Sequence, residues 1–504
     1  MPVVSANINV GLLGHVDAGK TSIARVLTET KSTACLDKDP QSQSRGITLD
    51  LGFSSFKAPV THSQYPFNEL QYTLVDHPGH ASLLRTVIGG SAIIDLMFLI
   101  IDITKGIQTQ TGECIVLGEL MSKSSVILLS KVDLVPSSDR ETVIEKAKKK
   151  LKAALKNTHN FCDSPIIPFS AHHPLDGQRE ILLSTLEGLV FNKVPRINKM
   201  MSSQTNNPLL ISFDHCFSVM GKGTVLTGTV LSGILTTDSN VCISGKPTKV
   251  KVKSIQSFKT QVSTAQSGDR VGILVKKFPS SSIERGFISD APLPLVSAFI
   301  VKVNKVAWFK GEVVTGQQYH VSIGFETVIG KITLFSAHDS VFNGDYEALT
   351  SADDHSDSAY AYVRLVSPVT TPTNALCVFS RLDFPENSKQ CRIAFYGSVH
   401  YLSKDNGFNI YKKKQKVGVL ERFASNNSAI IKDLFDSVSQ ARAFIGGKLH
   451  SQDGRLIGHI SLTFGQSGKV KADLVGESVI DVGQSVILFY RRNAFENSRS
   501  VSLT

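Results

Sequence analysis

The chain has little of what would tie it to an oxidising or membrane setting. Only seven of its 504 residues are cysteines, Cys35, Cys114, Cys162, Cys216, Cys242, Cys377 and Cys391, and no two form a CxxC pair. An odd, scattered set excludes a disulfide framework and a zinc knuckle and reads as reduced thiols of a cytosolic protein. Long apolar runs are missing too. The most apolar stretch, residues 92–103, is broken by Asp95 and Asp102, so neither a membrane span nor a secretory leader is expected. Acidic charge is the scarcer sign, with 43 Asp and Glu against 54 Lys and Arg and a net charge of +11. That balance favours a polyanionic partner. What is present suffices for packed cores: apolar residues make up 41%, which excludes wholesale disorder. At about 150 residues per domain the length implies three or four domains rather than one core.

Residues 1 to about 195 alternate short apolar runs with helix-like stretches. The runs at 8–13, 70–75, 96–101, 126–129 and 166–169 are bounded by Gly, Asp, Ser or Pro, and Leu49, Leu51 and Phe53 recur with period two. Such alternation predicts a mostly parallel sheet covered by helices. Residues 141–155 predict one of these helices, with Val143, Ala147, Leu151 and Leu155 on one face. Past residue 200, β-branched runs alternate with Gly, Ser and Asp turns, the pattern of small β-barrels or sandwiches. A polar linker at 200–207, Pro292 with Pro294, and the stretch 385–390 divide the chain into 1–199, 200–292, 293–388 and 389–504. Residues 351–358 read as an acidic loop in the third of these.

The sequence GHVDAGKT at 14–21 follows an apolar run and fits GxxxxGK[ST], a loop whose backbone N–H groups cradle phosphates. Lys20 is suited to the β/γ oxygens and Thr21 to Mg²⁺, with Asp17, Ala18, Gly19 and Ser22 completing the cradle. Asp76-His77-Pro78-Gly79-His80 follows a later strand, where Asp76 can hold Mg²⁺ through water and the Gly79 amide can sense a γ-phosphate. Arg45-Gly46-Ile47-Thr48 lies between the two and offers the Thr48 hydroxyl to the metal. Ser130-Lys131-Val132-Asp133 resembles the NKxD element, in which the carboxylate, here Asp133, accepts from the two N–H donors on guanine's Watson–Crick edge. Adenine lacks that pair. Ser170 and Ala171 resemble the element whose backbone completes the base pocket.

Jointly, GHVDAGKT, RGIT and DxPGH resemble the translational GTPases rather than Ras-like or metabolic P-loop proteins. The resemblance implies an α/β P-loop GTPase domain, doubly wound on a mostly parallel sheet, followed by two β-barrel domains and a C-terminal mainly-β domain. It implies GTP/GDP and Mg²⁺ as cofactors. It puts Val16 and Ile47 beside the γ-phosphate and gives His80 the catalytic task of orienting the attacking water, a role suited to an imidazole near neutral pH. Two positions depart from the pattern. Ser130 stands where Asn is usual, and loss of the amide that ties the base loop to the phosphate loop predicts nucleotide binding weaker by about 1 kcal/mol. His77 stands where Cys is common, and little is expected of that change.

A fourth unit after two barrels resembles the selenocysteine-specific branch, through residues 36–42, 45–56, 213–229, 267–272, 284–286 and 464–469. That branch implies delivery of selenocysteinyl-tRNA to the ribosome at recoded UGA codons, with GTP hydrolysed on delivery. It adds a partner that binds the selenocysteine-insertion element, no membrane partner, a monomer, and a cytoplasmic location with room for a nuclear pool. A selenol is a stronger acid than a thiol, so the esterified residue is an anion at neutral pH and its pocket should be cationic. The resemblance puts Asp214, His215 and Arg270 there. Arg270 would pair with the selenolate, His215 would donate to it, and Asp214 would bind the α-amino group or orient the cations. Without the resemblance the same residues are an ordinary barrel ion pair and a turn histidine.

Between Cys391 and Thr504 there are 16 Lys and Arg against 9 Asp and Glu. Lys412, Lys413, Lys414 and Lys416 beside Tyr411, with the glycine-rich stretch 464–471 read as a strand, are candidates for RNA phosphate contact. Two readings compete. One is a general aminoacyl-tRNA carrier or initiation-type GTPase on the same core, opposed by Asp214, His215, Arg270 and the fourth unit. The other is a P-loop regulator or ATP-using enzyme, opposed by Asp133, Thr48 and residues 76–80.

Overall fold

A computed structural model describes residues 5–31, 51–61, 65–78, 84–121, 123–197, 207–244, 249–276, 278–280, 283–337, 342, 344–353, 358–384, 391–400, 408–475, 481–494 and 501–503. Their contacts group the chain into two compact units, Met1–Gly311 with Gln318–Lys331 and Arg364–His400, and Glu312–Gln317 with Ile332–Val363 and Tyr401–Thr504.

The first unit begins β1 (Ser5–Gly14), α1 (Lys20–Leu27), β2 (Thr30–Lys31), β3 (Gly52–Pro59), β4 (Glu69–Asp76), α2 (Leu84–Ser91), β5 (Leu96–Asp102), α3 (Thr109–Leu120), β6 (Ser124–Ser130), α4 (Arg140–Leu155), β7 (Ile166–Pro168) and α5 (Gln178–Lys193). The strands form one sheet in the order β2-β3-β4-β1-β5-β6-β7. Pairing is parallel from β4 to β7. By contrast β3 runs antiparallel to β4, with Gly52 opposite Asp76. β5 is buried at every position, as a strand covered on both faces must be, which is why its residues 96–101 read as an unbroken apolar run. On one face Ile8, Val10, Leu12, Phe98 and Ile100 pack with Ile23 and Leu27 of α1 and Leu182, Leu186 and Val190 of α5. The predicted helix at 141–155 is α4, and Leu151 and Leu155 are its buried positions.

The other face of β1, β4 and β3 carries buried polar residues, Asn7, Asn9, Thr73 and Ser55, together with Phe53. Register puts them there, since Asn9 opposes Thr73 and Thr73 opposes Ser55, and directly opposed residues share a face. Thr73 donates to Asn7 Oδ1 at 2.7 Å, and the partner of the two asparagines is the barrel that follows. Asn7 and Asn9 both donate through Nδ2 to the Gly268 carbonyl, at 2.6 and 2.9 Å. Arg196 donates to the Ser267 carbonyl at 2.7 Å and is held by Asp95 at 2.6 Å. Buried amides are tolerated here because each finds an acceptor.

The barrel consists of β8 (Leu210–Val219), β9 (Gly223–Ser232), β10 (Ile234–Thr236), β11 (Asn240–Ile243), β12 (Val250–Ser257), β13 (Thr260–Val262), β14 (Thr264–Gln266), β15 (Arg270–Val275) and β16 (Gly286–Ser289). The order β11-β16-β8-β9-β15-β12 is closed by a β11–β12 pairing into a six-stranded ring. Closure removes the sheet edges, and Phe213, Leu226, Ile255 and Ile273 fill the interior.

Next come β17 (Leu295–Lys302), β18 (Asn304–Lys305), β19 (Gln318–Ile323), β20 (Glu326–Ser336), β21 (Asp345–Glu347), β22 (Ala359–Thr370), β23 (Leu376–Ser380) and β24 (Ile393–Ser398), whose residues divide between the two units. In the first unit β19 pairs with β20 and β23, and β24 with β23 and β18. Phe379 stacks on Phe395 at 4.0 Å, with Tyr319 edge-on to Phe395 at 5.2 Å.

The second unit is completed by β25 (Asn409–Ser425), β26 (Ser428–Lys432), α6 (Val438–Arg442), β27 (Lys448–His450), β28 (Leu456–Phe464), β29 (Lys469–Leu474), β30 (Ser485–Asn493) and β31 (Val501–Leu503). It closes a second six-stranded ring, β25-β26-β29-β28-β27-β30, through β25–β30 pairing. Within this unit Phe335 packs against Phe342, Tyr346, Tyr360 and Phe408, with ring centroids 5.2–5.9 Å apart. The stretch 464–471 is not the single strand expected of it. Phe464 ends β28, Lys469 starts β29, and Gly465 and Gly468, at φ 68° and 73°, make the turn between them. Of the acidic loop at 351–358, residues 354–357 lie outside the described residues. Among the described residues no helix is long and apolar enough to cross a membrane.

Candidate functional site

The motif residues converge on one edge of the large sheet, the carboxyl ends of its parallel strands. β1 sits where the order reverses, with β4 on one side and β5 on the other, and that reversal opens a crevice suited to a ligand. β1 can turn there because residue 14 is glycine: a Cβ at that position would lie 2.3 Å from the Ile100 carbonyl oxygen. Gly19, at φ 94°, supplies the left-handed residue that starts α1, so the exposed amides of that helix face the crevice. Lys20 is buried, and burial lowers its pKa while Asp76 pulls it back up. Its Nζ donates to the carbonyls of Gly14 at 3.1 Å and His15 at 2.7 Å. Thr21 Oγ1 donates to Asp76 Oδ2 at 2.7 Å, placing a hydroxyl and a carboxylate side by side. Ser22 is half-buried on α1, and Val16 is pinned by its amide donating to Gln110 Oε1 at 3.0 Å. Gln110 was not expected from the sequence.

At the ends of β6 and β7 a second loop pair is assembled. Lys131, in the left-handed region at φ 60°, bridges to Asp102 Oδ2 at 2.9 Å. Asp133 Oδ1 accepts from Ser170 Oγ at 2.8 Å. Gln178 then fixes the Ser170 segment, accepting from the Ser170 amide and donating to its carbonyl, both at 3.0 Å. Ala171 packs half-buried against the core. The premise of a lost tether at Ser130 is overturned. Its Oγ donates to the Ala18 carbonyl at 2.6 Å, so the base loop stays tied to the phosphate loop by a hydroxyl in place of an amide. A Cβ at residue 19 would meet Ser130 Cβ only at ordinary contact, 3.8 Å, so this approach does not depend on the glycine. The predicted loss of about 1 kcal/mol for a missing hydrogen bond has no missing bond behind it.

Thr48, Gly79 and His80, with Arg45, Gly46 and Ile47, lie outside the described residues. His77 is buried, and its Nδ1 lies 3.0 Å from the Val75 carbonyl. Burial pushes its pKa down to about 4. An unfolded chain protonates this imidazole near 6.5 and the folded chain only near 4, so between those values the unfolded state binds more protons. Stability from the neutral ring is therefore present above pH 6.5 and lost as pH falls through that window. The wild type is expected to lose about 2 kcal/mol more than His77→Cys between pH 7.5 and 5. Urea unfolding at both pH values measures this, and equal losses would contradict it.

On the barrel, residues distant in sequence form one cluster. A bulge in β8 between Phe213 and His215 resets the alternation, so Phe213 and Cys216 both face the core and Asp214 and His215 share the outer side. Asp214 and Arg270 are 1% and 3% exposed. Arg270 grips the carboxylate with both terminal nitrogens, Nη2 donating to Oδ1 at 2.7 Å and Nη1 to Oδ2. His215 Nδ1 lies 2.7 Å from Asp214 Oδ1, which also accepts from Thr227 Oγ1 at 3.0 Å. Burial drives the Asp214 carboxyl up, but the Arg270 guanidinium overrides it and holds the group well below the usual carboxylate range. Beside the pair is a cavity of about 210 Å³ lined by Phe217, Lys222, Thr227, Lys259 and Arg270, and no described carboxylate lines it.

The tail lysines lie on β25, where Lys412 opposes Arg492 and Lys413 opposes Arg491 on β30. Arg491 stacks over Tyr411 at 4.2 Å and Lys416 over Phe435 at 5.1 Å. Lys413 bridges to Glu347. The cations thus form a two-strand ladder rather than a frayed run.

Comparison with known proteins agrees with this geometry. Residues 5–207 match the elongation factor Tu GTP-binding domain, and 223–288 match elongation factor Tu domain 2. Residues 300–355 and 339–397 match the third domain of eukaryotic selenocysteine-specific elongation factors, and 407–497 match the C-terminal RIFT domain of that family. The chain is 38% identical to the selenocysteine-specific elongation factor of Mus musculus, covering 93% of this chain and 88% of the relative. It is 34% identical to the selenocysteine-specific elongation factor of Methanocaldococcus jannaschii, over 96% and 97%. Among solved structures, the elongation factor SelB of Methanococcus maripaludis in complex with the GTP analogue GppNHp aligns with a TM-score of 0.67 at 27% identity, over 96% and 98% of the two chains. Motifs, fold and relatives agree: the chain belongs to the selenocysteine-specific elongation factors and is a GTPase.

Proposed function

We propose that the chain binds selenocysteinyl-tRNA in its GTP form, delivers it to the ribosome at recoded UGA codons and hydrolyses GTP on delivery. The observation that carries this reading is the buried Asp214–Arg270 pair with His215 alongside, next to a cavity whose charged lining residues, Lys222, Lys259 and Arg270, are all cationic. A selenolate needs positive charge at short range. Arg270 remains cationic at any physiological pH, and its N–H groups not spent on Asp214 are available to an anion. Asp214 orients the fork and His215 donates. A neutral seryl side chain gains little from the same groups, and that difference in affinity is the specificity.

At the nucleotide site, Asp17, Ala18, Gly19, Lys20, Thr21 and Ser22 would hold the phosphates, with Lys131, Asp133, Ser170 and Ala171 around guanine. The neighbouring oxygens of Thr21 and Asp76 fit Mg²⁺, a hard cation that takes a few protein oxygens and fills its shell with phosphate and water. Thr48 and Gly79 would order the two switch segments around the γ-phosphate, and His80 would orient water. Bound Mg²⁺ would supply charge neutralisation between the β- and γ-phosphates. The ladder of Lys412, Lys413, Lys414 and Lys416 with Arg491 and Arg492 suits RNA phosphates, and the selenocysteine-insertion-element binding protein would be a further partner.

The test is capture by the GTP form from a mixture of selenocysteinyl-, cysteinyl- and seryl-tRNA with matched tRNA bodies. Wild type should retain the selenocysteinyl species preferentially. Arg270→Ala should reduce that preference at least tenfold, about 1.4 kcal/mol, and Arg270→Lys should only partly restore it. Equal losses for all three tRNAs would remove Arg270 from discrimination, and equal capture by the wild type would favour a general aminoacyl-tRNA carrier.

A further inference from the structure

The Asp133 carboxylate is held by a hydroxyl, and that hydroxyl by an amide outside the nucleotide-binding motifs. Ser170 Oγ donates to Asp133 Oδ1 at 2.8 Å and accepts from the His173 amide at 3.1 Å. A hydroxyl has one proton and an ionised carboxylate can only accept. The direction of the first bond is therefore fixed, and its aim depends on where the Ser170 backbone lies.

That backbone is clamped by Gln178, eight residues further on and the first residue of α5. The side-chain amide meets both polar backbone groups of one residue. Oε1 accepts from the Ser170 amide at 3.0 Å, and Nε2 donates to the Ser170 carbonyl at 3.0 Å. Oε1 also accepts from the Leu175 amide at 3.1 Å. Two contacts on one residue fix its rotation as well as its distance, because turning Ser170 would break both together. Between the two residues the chain is exposed at 172–174 and at 176–177, whereas Ser170 and Gln178 are 0% and 6% exposed. Gly177, in the left-handed region at φ 68°, turns the chain into α5 at this point. The loop is thus open to solvent along most of its length and pinned at its root, where loss of the Gln178 amide would strand a buried N–H and a buried carbonyl.

We propose that Gln178 is a positioning residue for base recognition, setting the selectivity for guanine by fixing Ser170 and, through its hydroxyl, the Asp133 carboxylate. The proposal rests on the reading of Asp133 as the group that meets the base. Contacts to the purine ring, the ribose and the phosphates are common to GTP and ITP. The two differ only in the exocyclic amino group, which hypoxanthine lacks while keeping the ring N–H, so ITP offers Asp133 one donor where GTP offers two. A carboxylate out of line costs GTP two bonds and ITP one. Loss of Gln178 therefore lowers the ratio of the two affinities, whereas a general loosening of the loop would lower both alike.

Equilibrium competition of GTP and of ITP against a fluorescent guanine nucleotide, with the full chain, reads that ratio. Wild type should prefer GTP by about tenfold to a hundredfold, the worth of one hydrogen bond to a charged acceptor. Gln178→Leu should bring the ratio to within about threefold of unity. Gln178→Glu keeps an acceptor for the two amides and loses the donor to the Ser170 carbonyl, so its ratio should fall between the two. Ser170→Ala should lower the ratio by itself, and adding Gln178→Leu to it should lower it by no more than about a further twofold, as for residues that act in series. Equal weakening of GTP and ITP in Gln178→Leu, or losses that multiply in the double variant, would overturn the proposal. Should Gln178→Leu not fold, an unchanged ratio in Gln178→Glu would overturn it equally. Failure of the reading beneath it looks different, because the wild type itself would then hold GTP and ITP alike.

Discussion

Asp133→Asn is expected to weaken GTP binding by about 10²- to 10⁴-fold and to leave the folded chain intact. The carboxylate is already half used, Oδ1 accepting from Ser170 Oγ at 2.8 Å, and the arrangement holds it at the mouth of the base loop. Guanine bound there would present two N–H donors to it. A hydrogen bond to a charged acceptor is worth about 1.5–3 kcal/mol, so two of them account for about 3–6 kcal/mol. An amide in the same place offers one neutral acceptor and turns a donor toward a donor. The defect should therefore be chemical and reversible. Xanthosine triphosphate, with a carbonyl where guanine has its amino group, should bind Asp133→Asn better than GTP does. Competition against a fluorescent guanine nucleotide measures both effects, and a variant that holds GTP within about fivefold of wild type would end the assignment of Asp133 to the base.

The other large effect is structural. Glu113 of α3 and Arg392, just before β24, form a bidentate pair at 2.8 and 2.8 Å with side chains 6% and 5% exposed. Removing one member of such a pair strands a buried charge, at a cost of about 3–5 kcal/mol, whereas replacing both by apolar groups of similar volume can be neutral. Glu113→Ala should lower the stability of the contact between the GTPase domain and the β19–β24 strands by that amount. Glu113→Leu combined with Arg392→Met should recover most of it. The chain's single tryptophan, Trp308, lines a cavity of about 390 Å³ with Glu113 and Cys391, so its emission reports this contact in particular during urea unfolding. An unshifted transition in Glu113→Ala would show that the pair contributes nothing.

Much of the nucleotide site was legible because its information is local. A phosphate loop needs glycine at 14 and 19 for backbone reasons, a lysine at 20 and a hydroxyl at 21, and all fall within one turn at the end of one strand. The parallel sheet was legible for a similar reason, since strands covered on both faces carry apolar runs, as β5 does at residues 96–101. The reading erred where two segments had to be brought together. Ser130 appeared to lose a tether, because nothing in the sequence tells how near the Ala18 carbonyl comes to it. Residues 464–471 appeared to be a strand, because the β-branched pattern on both sides hides a turn that two left-handed glycines make.

By itself, then, the sequence determined the GTPase class and the order of α/β domain and β-rich units, and it singled out Asp133, Asp214, His215 and Arg270 as the residues to test. The tertiary structure alone decided that the bulge at Asp214 turns it and His215 the same way, that Arg270 spends its fork on Asp214, and that the Phe53 ring covers the guanidinium, its centroid 3.5 Å from the guanidinium carbon. Motifs of chain-local geometry are written in consecutive residues. Packing between a sheet face and a barrel depends on distances between segments hundreds of residues apart, and those exist only once both have folded.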